Sequence, residues 1–175
     1  MEQKITSTTT KGVVISLVLI VFTLVTYFAN IKANGPLQWV GYAFFIGGII
    51  WSVNYFGKQS KYNCTFGNYF AHGFKVSAVV TVIMIIYLVL FIFLFPDFKE
   101  NAISEARKSM LEKNNLTSDQ IDQAIQMTRK FFMVFLIGGT LVAYLFFGAI
   151  AALIGAAVTK KEPNQLPQQD NQLPQ

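Results

Sequence analysis

One cysteine, one histidine and few charges of either sign make up most of the reactive chemistry in this 175-residue chain. With Cys64 alone, no internal disulfide can form. With His72 as the sole histidine, Cys and His together supply two metal ligands, whereas structural zinc takes four and catalytic zinc three. The two lie eight residues apart in "NCTFGNYFAHGFK", residues 63–75. That is about 12 Å along a helix, too far for a nucleophile and its base unless Cys64 folds back through a turn. The next carboxylates along the chain, Asp97 and Glu100, follow a long apolar run and belong to the opposite membrane face. The expectation is no catalytic residue, no metal and no cofactor, hence not an enzyme.

Charged residues make up 13% of the chain, where a soluble domain carries about a quarter. They are also segregated: Gly12–Ile31, Leu37–Phe56, Val76–Phe95 and Phe131–Val158 contain no Asp, Glu, Lys, Arg or His. Each is long enough to cross a bilayer, which takes roughly 20 apolar residues. The first run is too long for a secretory signal, whose apolar region is about 7 to 15 residues, and reads as an uncleaved helix. A net charge of +5 raises nucleic acid as a partner. The cations are scattered over the loops, however, so the expected partner is the lipid bilayer and not nucleic acid.

The expected fold is all-α and integral to the membrane, with four transmembrane helices over about 12–31, 37–56, 69–95 and 131–158. Residues 1–11 form a short polar N-terminus. Gly35 and Pro36 in "KANGP" give turn chemistry between the first two spans. Tyr27 and Trp39 suit one interface, and Trp51, Tyr55 and Tyr69 the other; Trp39, Trp51, His72 and Lys75 are the expected interface anchors, with polar tips at the headgroups. Pro96 interrupts the chain, and Asp97 with Glu100 reads as a capping box. Ile103, Ala106, Met110 and Leu111 then share one face of a helix reaching about Lys113. "NNLTSDQI" starts another helix, with Thr117 as N-cap, Gln120 at the third position and Leu116 against Ile121 as a hydrophobic staple. No breaker separates Ser118 from Phe131, so this helix is expected to run unbroken into the fourth span. The resulting antiparallel hairpin, about 96–130, is the soluble feature of most interest as a protein-docking element. Beyond Lys161, residues 162–175 contain "NQLPQ" twice and too little apolar surface to order themselves.

Residues recur at four-residue steps in Gly67, Ala71 and Lys75, in Gly73 and Ser77, in Gly148, Ala152 and Ala156, and in Ala151 and Gly155, all of them small except Lys75. Such stripes let helices approach closely. Packing within one bundle is the simpler use, and a homo-oligomer forming a small transporter or channel is the alternative. Transport by charged residues at the membrane midplane finds no support, since the polar residues within the charge-free runs, among them Ser16, Thr23, Thr26, Asn30, Ser52, Asn54, Thr81 and Thr140, include no Asp, Glu, Lys, Arg or His.

"FGNYFAHGF" at the start of the third span, "FPDF" after it, "LTSDQIDQAIQM" leading into the fourth and the exit ending "TKK" together resemble a family of small four-helix membrane proteins of Bacteroidota, catalogued as a domain of unknown function. The resemblance covers Gly12–Lys161. It implies a fold and an inner-membrane address, and it brings no catalytic residues. Counting Lys and Arg leaves orientation tied at seven on each side. The first helix, with Lys4 and Lys11 before it and Lys32 after, favours both termini in the cytoplasm and the hairpin outside.

Overall fold

The computed structural model describes residues 7–29, 36–112 and 117–159, the side chains of 36–38 excepted. Six helices follow one another: α1 (Thr8–Phe28), α2 (Pro36–Gln59), α3 (Phe66–Leu94), α4 (Pro96–Glu112), α5 (Ser118–Lys130) and α6 (Phe132–Val158). Four are long and apolar enough to cross a membrane: Thr8–Phe28, Trp39–Gln59, Phe66–Leu94 and Phe132–Val158. The tail after Lys161, Lys113, Leu116 and the turn at Gly35 lie outside the described residues.

Local chemistry sets most of the boundaries. Ser7 caps α1 by accepting from the Thr10 amide at 3.1 Å, so "TTTK" becomes helical and Lys11 falls inside α1 instead of flanking it. Thr65 caps α3 in the same way, through the Asn68 amide at 3.4 Å, which starts that helix three residues before 69. Between them α2 ends without a glycine. The Tyr62 amide donates to the Gly57 carbonyl at 2.8 Å, and Lys61 and Tyr62 take left-handed φ values of 51° and 56°, a conformation costing about 1–2 kcal/mol per residue away from glycine.

Two expected signals are corrected. Pro96 does interrupt the third helix, which ends at Leu94, and it also opens α4, at the first helical position, where its missing amide hydrogen costs nothing. Asp97 is therefore inside the first turn, and Glu100 pairs with Arg129 at 2.8 Å rather than closing a capping box. The helix from Ser118 does not run unbroken into the membrane. Phe131, at φ −105° and ψ 17°, separates α5 from α6. The 2.9 Å bonds from the Phe131 amide to the Met127 carbonyl and from the Phe135 amide to the Phe131 carbonyl still span the joint. With no Pro or Gly there, the sequence carries no sign of it. Thr117 forms the capping box with Gln120 as read from the sequence.

The spans alternate in direction, and α3 is central, packing on α1, α2 and most extensively on α6. Ile15, Leu19, Phe45, Ile49, Val53, Val76, Val80, Ala151 and Ala152 fill the bundle. A second, separate core of Ile92, Ile103, Ile121, Ile125 and Phe132 closes the α4–α5 hairpin onto the ends of α3 and α6. Ala106 and Met110 join it, but Leu111 is 50% exposed and does not belong to that face. Tyr27 reaches from α1 to this end, its ring 5.0 Å from Phe91 and 5.2 Å from Phe95.

Candidate functional site

At the opposite end, where α1 and α3 begin and α2 finishes, polar side chains converge. Lys11 shares a helix face with Ile15 and Leu19, so its side chain enters the bundle and is 2% exposed. Its Nζ donates toward three acceptors: the Ser52 carbonyl at 3.5 Å, Gln59 Oε1 at 3.4 Å and His72 Nε2 at 3.4 Å. Those three match the donors of one ammonium. The Tyr55 and Phe56 rings lie 5.0 and 5.6 Å from the same nitrogen, within cation–π range. A cation in the first turn of a helix is unfavourably placed for that helix's own dipole. The carboxyl-terminal turns of antiparallel α2 offset this by presenting carbonyl oxygen.

His72 is 7% exposed, and the Phe56 ring stacks on it at 4.2 Å with a 3° tilt. Its Nε2 also lies 3.4 Å from Ser52 Oγ. An ammonium can only donate, so a charged Lys11 requires an unprotonated Nε2 and a ring whose proton sits on Nδ1. Lys11 has no carboxylate partner among the described residues. Beneath Phe56, the Tyr69 ring is buried with its hydroxyl unpaired.

His72 is therefore not an interface anchor with its tip among the headgroups, and Lys11 is not a free flanking charge. Both turn inward, because the end of α2 supplies acceptors that a buried polar tip needs. Lys75 is exposed, as are Trp39 at 66% and Trp51 at 53%. Cys64 is a free thiol packed against the edge of the bundle core, and no hydrogen bond joins it to His72. Ser52 and His72 superficially form a nucleophile and base. Yet 3.4 Å exceeds the usual reach, Ser52 has no exposure, and the ammonium competes for the same lone pair. Among the described residues no group of three or more His, Cys, Asp and Glu side chains is placed to hold a metal.

The small residues meet at the α3–α6 seam. A Cβ added at Gly73 would stand 2.8 Å from the Ala152 Cβ, and one at Gly148 would collide with the Ser77 hydroxyl. That hydroxyl donates to the Tyr144 carbonyl at 3.2 Å. Gly155 faces Val53 of α2, while Ala152 and Ala156 are buried beside it. Ala71 is half-buried. Gly67 is exposed and has no neighbouring helix against it.

The family described as "Protein of unknown function (DUF4199)" matches residues 10–161. The chain belongs to this family. The matched segment takes in the Lys11–His72 cluster, the bundle and the hairpin of this DUF4199 protein. No curated protein and no solved structure matches.

The cluster escaped a reading of the sequence because its members are 20 to 61 residues apart. One signal was present: Lys11 lies four residues before Ile15 and eight before Leu19, on the inward face of α1. The hairpin at the other end displays different chemistry. Arg107 pairs with Asp122 at 2.6 Å and Arg129 with Glu100, all four side chains about half exposed. The outer face of α5 carries Met127, 64% exposed, beside a depression of about 550 Å³ lined by Gln120, Gln123, Lys130 and Phe131.

Proposed function

We propose that this DUF4199 protein is a non-enzymatic component of the bacterial inner membrane that docks a protein partner through α4–α5, with both termini cytoplasmic and the hairpin outside. The observation that carries the reading is that the hairpin closes its own core and leaves an outer α5 face where Met127 and Phe131 stand among glutamines, with Lys130 its one charged lining residue. Glutamines carry no charge to desolvate, and exposed Met and Phe are favoured anchors at protein interfaces. Orientation is supported by charge. No Asp or Glu occurs between Glu2 and Asp97, so Lys58, Lys61 and Lys75 make the terminal end of the bundle basic, as the anionic cytoplasmic leaflet favours.

The alternative of a transporter or channel subunit assembled through Gly and Ala faces is less well supported, because Gly148, Ala152, Gly155 and Ala156 are buried within one chain.

A photo-crosslinking residue at Gln123 tests the proposal in intact membranes. A discrete adduct that is absent from a control position on α1 and lost on deletion of residues 98–128 is the expected result. A shortened chain that still inserts and retains the same partners would remove the hairpin as the interface.

A further inference from the structure

We propose that Lys11 and His72 form a proton-operated latch that holds the start of α1 against α2 and α3. In the closed form one positive charge is shared among three helices. Lys11 of α1 is the donor, and the Ser52 carbonyl and Gln59 of α2 and Nε2 of His72 on α3 are the acceptors. The bond to His72 depends on the ring presenting a lone pair. A proton taken up at Nε2 converts that acceptor into a donor and sets two cations 3.4 Å apart.

The surroundings offer no relief. From α2 the rings of Tyr55 and Phe56 face the ammonium; from α3, Tyr69 lies under Phe56, and Lys75 is a further cation acting on His72. α6 contributes no charged side chain, and Lys11 has no carboxylate among the described residues. The repulsion is relieved by moving the first turns of α1 away from α3, or by release of the Lys11 proton.

By the second route a neutral Lys11 keeps two N–H donors for the Ser52 carbonyl and Gln59 Oε1 and accepts from the protonated ring, leaving the helices in place, so a distance across this end of the bundle tells the two routes apart. Gln59, the last residue of α2 and only half-buried, marks the aqueous side from which the proton arrives.

The test is a distance measured between nitroxides at Thr9 and Asn68, both exposed at this end of the bundle, on a Cys64→Ser background in lipid nanodiscs. Spectra are taken at about pH 7 and about pH 3.5, a range wide enough to protonate a buried ring that faces two cations. The expected result is a single short distance at the higher pH and an added longer population at the lower, reversed on returning the pH. His72→Gln, which keeps an acceptor that cannot be protonated, should show the short distance at both. Lys11→Met, which removes the opposing cation, should also lose the acid response. An unchanged distribution in the otherwise wild-type chain, or an acid response that persists in either variant, would overturn the latch.

Discussion

In the bundle, α3 and α6 meet through Gly73, Ser77, Gly148 and Ala152, whereas the hairpin is closed by Ile103, Ile121, Ile125 and Phe132. The two seams differ because their solvents differ. Lipid tails are as apolar as any side chain, so helices in the bundle gain by close approach and dispersion, which small residues permit. In water, α4 and α5 gain by removing large aliphatic groups from solvent, and they leave their charges outside in two exposed pairs. The same contrast governs buried polarity. The bundle encloses Lys11, Ser16, Ser52, His72 and Ser77, each with a hydrogen-bond partner. The hairpin core is aliphatic and aromatic throughout.

The largest effect expected from breaking this contrast is at the bundle seam. Gly148→Leu drives a branched side chain into Ser77 and should destabilise the bundle by about 3 kcal/mol. Gly138→Leu, on the same helix where nothing lies within 4 Å of an added Cβ, should not destabilise the bundle and should gain up to about 1 kcal/mol of helix propensity. Unfolding of both variants in mixed micelles measures the difference, and equal losses would mean that close approach is not what holds α3 to α6.

A smaller effect follows from the hairpin core. Ile121→Ala should cost about 2 kcal/mol and speed amide exchange in α4 and α5 roughly 30-fold, leaving α3 and α6 protected. Exchange that rises equally across the bundle would show the two cores to be one cooperative unit. The smallest is at the cap. Thr117→Ala removes the capping box and should cost about 1 kcal/mol, seen as faster exchange confined to the first turn of α5.

Much of the architecture is written locally. Charge-free runs of sufficient length specify four spans, and Thr117 with Gln120 specifies the start of α5, because hydropathy and capping act over a few neighbouring residues. The same locality explains the misreadings. "FPDFKE" contains a proline and an acidic pair three apart, and nothing nearby says that Glu100 is drawn to Arg129 on the returning helix. Nor does any residue announce the joint at Phe131.

The sequence by itself determined the number of spans, the position of the hairpin between the third and fourth, and the small-residue stripes available for packing. Only the tertiary structure decided that Lys11 and His72 turn inward to one another, that the stripes at Gly73 and Gly148 are used within one chain, and that Leu111 stays outside the hairpin core. The physical reason is separation. A buried ammonium needs acceptors, and here they come from helices 41 to 61 residues away, brought within 3.5 Å by the alternating directions of α1, α2 and α3.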